Sequence, residues 1–271
     1  MALDPSLDSD PSSLANPSEV CVEHIDLEVG LDFERHIVSG IVHLHLRVLR
    51  EGVAEVHLDS RELSVEWAEA AGERVPFRVD APRGPLGSRL RVPVPNDLRA
   101  VNAVFELTIA YSTSPGASAT QWLSSSATAG RQHPFMFTQC QAIHARSLLP
   151  CQDSPGVKQT YTAAVKAPAW CVVLMSALSL GEPALDGELR VHRWTQPVPI
   201  PSYLLAIAAG SLVSQDISER VRIWAEPAVI GAAAFEFAET ETLLRTAESL
   251  TCPYLWSRYD VLCLPASFPY G

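Results

Sequence analysis

Three groups of side chains have the types and spacing to do chemistry. His43 and His45 stand two apart, so in a strand both imidazoles share one face and could chelate a metal ion. A metal site needs three or four ligands, and the flanking sequence supplies no others. A solvent-facing pair on the wet side of a strand is the simpler reading. Asp26, Glu28, Asp32 and Glu34 form a run of carboxylates, but they alternate with apolar residues and read as an exposed strand face. Cys151 lies close to Asp153 without a general base near it in sequence, which favours a buried structural thiol over a nucleophile. No His is followed by Glu, so the H-E-x-x-H zinc motif is absent, and so are a G-x-S-x-G elbow, a P-loop and G-x-G-x-x-G. Taken alone, these residues describe a globular β scaffold with no complete active site.

The elements that would carry them are strands. Ile25, Leu27, Val29, Leu31 and Phe33 alternate with polar residues, as do Val42, Leu44, Leu46 and Val48, with a turn over Arg35–Gly40 between the two runs. Shorter alternations follow at Val75/Phe77/Val79, Leu90/Val92/Val94 and Ala103/Phe105/Leu107/Ile109, separated by Pro and Gly clusters. The first 110 residues therefore read as an antiparallel all-β unit. Ser112–Gly130 is polar and reads as a long loop anchored by Trp122. Strand patterns return at 135–137, 161–165, 171–178, 189–194, 203–209 and 221–224, the run near Leu204–Ala209 being covered on both faces. Beyond Pro227 the character changes. Ile230, Ala234, Phe237, Leu244, Ala247 and Leu250 recur near helical spacing, which predicts one amphipathic helix over 228–250, then a strand at 259–264.

Composition narrows the function classes. Lys and Arg total 20 against 31 for Asp and Glu, and a net charge of −11 with no basic run disfavours nucleic acid as a partner. The Ser-, Pro- and Asp-rich residues 1–20 read as a mobile leader and carry no secretory pattern. The longest apolar stretch, Tyr203–Val213, is too short to span a bilayer. Six cysteines without a C-x-x-C pair suit free thiols in a reducing, cytoplasmic compartment.

Two segments are more specific. One runs from Gln121-Trp122-Leu123 through His133–Lys158, including Gln139-Cys140-Gln141-Ala142-Ile143-His144 and Pro150-Cys151-Gln152-Asp153-Ser154-Pro155. The other runs from Pro253-Tyr254-Leu255-Trp256 to Ser267-Phe268-Pro269-Tyr270-Gly271. Both resemble the leukotriene A4 hydrolase and aminopeptidase B branch of the zinc aminopeptidases, as do Pro199-Ile200-Pro201-Ser202-Tyr203 and Trp224-Ala225-Glu226. Gln139-Cys140-Gln141 leans to the leukotriene A4 hydrolase side, since aminopeptidase B-like proteins usually have Gly in the middle.

The resemblance implies a mainly β chain: a saddle-shaped antiparallel N-terminal domain over 21–212, then the truncated start of an α+β, thermolysin-like catalytic domain over 213–271. It implies zinc in the full-length protein, with ligands beyond this sequence, and peptide N-termini as substrates, with a lipid epoxide as a further substrate class. Gln141 matches the position whose amide holds a peptide's α-amino group, and Gln139 and Cys140 match its neighbours. Tyr270 matches the aromatic beside the first side-chain pocket, with Pro269 before it also among the substrate-binding residues, and Gly271 matches a glycine that substrate approaches closely. The other reading is a non-catalytic product acting as an interaction module. Ala266, Ala145, Ser257 and Thr251-Cys252 depart from the family pattern, and Ser257, where Gly is usual, fits comfortably only if its φ is negative.

Overall fold

The computed structural model describes residues 10–266 and Phe268. Strands dominate the first part: β1 (Val20–Asp32), β2 (Ile37–Val48), β3 (Glu55–Ser60), β4 (Ser64–Ala70), β5 (Glu73–Val75), β6 (Arg78–Val79), β7 (Ser88–Pro93) and β8 (Val104–Ser112). The middle carries β9 (Thr120–Leu123), β10 (Phe135–Thr138), β11 (Lys158–Pro168), β12 (Val172–Met175), β13 (Leu178–Ser179), β14 (Ala184–Asp186), β15 (Leu189–Pro201) and β16 (Ile207–Gly210). Then come β17 (Val213–Asp216), β18 (Val221–Ala225), α1 (Ile230–Glu236), α2 (Thr240–Leu250) and β19 (Tyr259–Leu262). The chain is mainly β, and most of its strand pairs are antiparallel.

The alternation read from the sequence builds the main sheet. Ile25, Leu27, Val29 and Leu31 of β1 and Val42, Leu44, Leu46 and Val48 of β2 are buried together, while Asp26, Glu28, His43 and His45 turn to the other face. That sheet runs β13-β15-β11-β1-β2-β8-β4-β5, with β14 also on β15. A four-stranded sheet, β12-β16-β10-β9, and two three-stranded sheets, β17-β18-β19 and β3-β7-β6, pack around it. One pairing differs from the antiparallel expectation for 21–212, since β1 lies parallel to β11; β18 and β19, in the part expected to be α+β, are also parallel. Local alternation fixes which face is buried but not which way a distant partner runs.

Four further expectations are corrected. The turn after β1 is narrower than Arg35–Gly40, because Ile37–Gly40 already pairs with β1. The Ser112–Gly130 loop contains β9, which pairs with β10; four residues are too few to announce themselves by period, and Trp122 at its centre packs on Phe33 and His36. The single helix over 228–250 is two helices broken at Phe237–Glu239, where the Thr240 hydroxyl donates to the Phe237 carbonyl at 2.7 Å. Residues 10–20, expected to belong to a mobile leader, are anchored: Leu14 is buried, and Asn16 accepts from the His57 N–H and donates to the Glu55 carbonyl along β3.

That N-terminal stretch is tied down by a buried ionic knot. Arg146, fully buried, donates from Nε to Asp153 Oδ2 at 2.9 Å, from Nη1 to the Leu86 carbonyl at 2.9 Å and from Nη2 to the Ser12 carbonyl at 2.8 Å. Asp59 lies 3.5 Å from Nη1 and accepts from Ser13 Oγ, the Leu14 N–H and the Asp153 N–H. Asp153 also accepts from Ser202 Oγ at 2.6 Å. Each guanidinium nitrogen and each carboxylate oxygen of the knot thus has at least one protein partner, the condition under which buried ions are tolerable. Cys151 pairs with Asp59 through the backbone, and burial raises its thiol well above the ordinary value. It is structural.

At the other end, α2 has no fully buried side chain; Leu244 packs partly against the cluster of Val221 and Ile223, and charge supplies a further tie. Arg220 grips Glu241 and Glu248, and both carboxyls are lowered from 4.5 to about 2, mainly by their hydrogen bonds to Arg220. Because the folded values lie below the unfolded ones, this clamp contributes stability above pH ~4.5 and loses it as pH falls through about 2. Arg220→Ala is expected to increase amide exchange in α2 at neutral pH and to leave exchange in β1 and β2 unchanged. Ser257 sits at φ 65°, in the left-handed region, so the residue fills a glycine position under strain. Ser257→Gly is expected to raise stability by about 0.5–1 kcal/mol in thermal unfolding, strain relief outweighing the added freedom of the unfolded chain.

Candidate functional site

β10 ends at Thr138 and runs straight into Gln139-Cys140-Gln141. Thr138 is locked to the next strand by the Ile207 N–H donating to its Oγ1 at 2.9 Å, and the Gln139 N–H donates to the Ala119 carbonyl at 2.8 Å. The chain then turns, closed by the His144 N–H on the Cys140 carbonyl at 2.9 Å. His144 Nδ1 lies 2.8 Å from Ser118 Oγ, which also accepts from Arg61 at 3.0 Å. Desolvation first, and the Arg61 charge second, lower the His144 pKa and favour its neutral form. Ser118 and Arg61 therefore anchor this turn. Ser118 stands in the stretch read as a loop, and nothing in its spacing points to the role.

The three matched residues part ways here. Gln139 Oε1 accepts the Gln141 N–H at 2.7 Å, so its side chain serves the turn itself. Cys140 is 2% exposed in the main core, and burial followed by the Asp153 charge pushes its thiol up, so the residue serves packing rather than ligand contact. Gln141 is exposed, and its side-chain amide has no hydrogen bond among the described residues. Pro269, Tyr270 and Gly271 lie outside the described residues. Phe268 packs edge-on against Phe137 of β10 at 5.2 Å between ring centroids.

Asp26, Glu28, His43 and His45 do lie on the strand face turned from the core, whereas Glu34 stands in the turn after β1 and not on the strand expected to carry it. His24 and His45 both reach Asp26, at 3.1 and 2.6 Å, and His43 reaches Glu106 at 3.0 Å. Partial burial acts to raise Asp26, but hydrogen bonds from Thr162, His45 and His24 outweigh it and leave the carboxyl below its ordinary value. Asp32 caps the β1–β2 turn through the Glu34 and Arg35 N–H groups. Among the described residues no group of three or more His, Cys, Asp or Glu side chains is set to hold a metal ion. The donor set a zinc ion requires is thus not supplied here, and the sequence contains no H-E-x-x-H. Nor is any helix among the described residues long and apolar enough to cross a membrane.

Glu226 was quoted above only as part of a resembling segment. It is buried and accepts from the Ala129 and Gly130 N–H groups at 2.9 and 3.2 Å, so it pins the loop before β10 to the end of β18.

The arrangement has a counterpart in known proteins: the model of the Peptidase M1 N-terminal domain matches residues 22–204. The chain belongs to this family. Within the M1 family it is 39% identical over 266 residues to leukotriene A-4 hydrolase of Xenopus laevis, covering 97% of this chain and 43% of that protein. It is 41% identical over 263 residues to leucine aminopeptidase 2-2 of Scheffersomyces stipitis, covering 97% of this chain and 40% of that protein. The structure of native yeast LTA4 hydrolase superposes with a TM-score of 0.88 at 36% identity, over 100% of this chain and 43% of the other. The M1 zinc metallopeptidase of Deinococcus radiodurans shares the fold, with a TM-score of 0.74 at 22% identity. The M1 chain described here thus spans about two fifths of the length of these curated relatives, 43% and 40%.

Proposed function

We propose that this chain forms the N-terminal β part, and one wall of the substrate cleft, of a zinc aminopeptidase of the leukotriene A4 hydrolase type. The observation that carries the reading is the division of labour at the end of β10. Gln139 braces the turn, and the Gln141 amide stands exposed with its carbonyl oxygen free to accept from a peptide's α-ammonium group. By resemblance, Pro269, Tyr270 and Gly271 also contribute to substrate binding in this reading. In this reading residues 21–212 are the β domain and 213–271 belong to the catalytic domain. The zinc ion and its ligands come from outside this sequence, and the chain alone neither takes up zinc nor hydrolyses peptides. A lipid epoxide is a second substrate class, in keeping with the named activity of the Xenopus relative. Six free cysteines, three of them buried, favour a reducing cytoplasmic setting.

The test follows the Gln141 side-chain amide by NMR during titration with leucine amide and with N-acetyl-leucine amide. Leucine amide is expected to shift that resonance and the acetylated compound to leave it in place, with Gln141→Ala abolishing the response. Equal shifts, or none up to the solubility limit, would remove Gln141 from the binding role.

One observation favours a second reading, an interaction module. Phe235 and Leu250 are 84% and 78% exposed on α1 and α2, an unusual amount of apolar surface for helices of a free domain. Concentration-dependent association in sedimentation would favour this reading, and a monomer at all concentrations would count against it.

A further inference from the structure

The turn that follows β10 is tied at three points to one residue, His144. Its backbone N–H closes the turn on the Cys140 carbonyl at 2.9 Å, and its carbonyl accepts from Ser147 Oγ at 2.8 Å. Its ring meets two donors at one atom: Nδ1 lies 2.8 Å from Ser118 Oγ and 3.4 Å from Arg61 Nη1. Arg61 Nη1 also donates to Ser118 Oγ at 3.0 Å, so a cation, a hydroxyl and an imidazole nitrogen close a triangle. A guanidinium only donates, and the triangle is satisfied when Nδ1 is bare and accepts.

Charging the ring breaks that pattern. An imidazolium carries a proton on both nitrogens, so a protonated His144 always presents an N–H at Nδ1. Ser118 can accommodate it by turning its own hydrogen to Ser147 Oγ at 3.2 Å. Arg61 cannot: its 3.4 Å contact becomes donor against donor and cation against cation. The nearby carboxylates are already engaged. Asp153 favours the proton, but it is held by Arg146, which adds a further positive charge acting on His144. Glu62, beside Arg61 in sequence, accepts from Ser114 Oγ at 3.3 Å.

We propose that His144 is a positioning residue whose neutral ring keeps the turn at 139–144 closed, and that a proton on this ring favours opening. The link to substrate rests on the reading of Gln141 given above. Burial and the Arg61 charge set the sign. The closed turn resists the proton more than an open one, whose ring titrates near 6.5, so opening becomes easier as pH falls below that value.

The test is amide hydrogen exchange of the His144 N–H, read by NMR near neutral pH and at about pH 5. Protection factors remove the intrinsic effect of pH, and the Leu44 N–H of β2 serves as reference. Protection at His144 is expected to fall about fivefold at the lower pH while that at Leu44 stays level. His144→Asn has no titrating ring and is expected to abolish the response. Arg61→Gln keeps a donor but removes the charge and should at least halve it, whereas Arg61→Lys should retain it. A merely structural loss at Arg61 would lower protection equally at both pH values. Leucine amide at about ten times its Kd is expected to raise His144 protection about tenfold, since it binds the closed turn. Failure of leucine amide to bind would remove the Gln141 reading, while the exchange response still decides the role of His144. Level protection at both pH values, or an undiminished response in His144→Asn or Arg61→Gln, would overturn the proposal. So would leucine amide binding that leaves His144 protection unchanged.

Discussion

Arg146→Ala is expected to lower the unfolding free energy by about 3–5 kcal/mol, the range for breaking a buried ion pair from one side. The loss is large because truncation leaves Asp153 and Asp59 buried in the absence of their cation and strands the Leu86 and Ser12 carbonyls. Arg146→Lys should recover only part of it, since an ammonium cannot meet carbonyls and a carboxylate in three directions at fixed spacing. The pH dependence has a definite sign. Burial pushes Asp59 above 3.8, so the fold holds that proton more tightly than the unfolded chain does, and acidification favours the fold through this group. The deficit of Arg146→Ala should therefore be greatest at neutral pH and shrink on acidification. Urea titrations of both variants at two pH values would check this. A deficit below 1 kcal/mol at neutral pH would mean that the knot contributes little.

Gly40→Ala is expected to cost at least ~3 kcal/mol, through overpacking that no rotamer change can relieve. A Cβ at this position would fall 2.0 Å from the Glu28 carbonyl oxygen and 2.8 Å from the Val29 Cα, both backbone atoms of the paired strand. Relief requires β1 and β2 to separate at the middle of the main sheet. Gly210→Ala is a useful comparison, since its Cβ would meet the Phe135 ring at 2.3 Å and a side chain can give way where a backbone cannot. Thermal unfolding of the two variants should rank Gly40→Ala as clearly the worse. The opposite order would show that β1 and β2 can shift.

What the sequence made legible was whatever has a local period. The buried faces of β1 and β2 follow from alternate residues, and the structure places Ile25, Leu27, Val42 and Leu44 accordingly. Asp26, His43 and His45 are surface groups for the same reason. Non-local facts were hidden. Nothing near Asp59 reveals that it meets Arg146 and Asp153, because the Asp153 N–H that it accepts from lies 94 positions away. Asn16 and Leu14 looked like part of a polar leader because the groups they bind belong to β3. The helix break at Phe237–Glu239 interrupts an apolar pattern that runs on across it. At the candidate site the resemblance brought Gln139, Cys140 and Gln141 forward together. Only the fold separates the brace from the core residue and from the one exposed amide, since that distinction depends on which way each side chain turns.

The parallel pairing of β1 with β11 has a consequence for how the molecule is made. His24 of β1 meets Thr160 of β11, a partner 136 positions later, so a nascent chain carries one flank of its first strand unpaired until that distant segment has left the ribosome. Such an edge is a template for other strands. Synthesis halted before residue 158 should give chains that clump, and synthesis halted beyond residue 201, once β15 is also present, should give soluble ones.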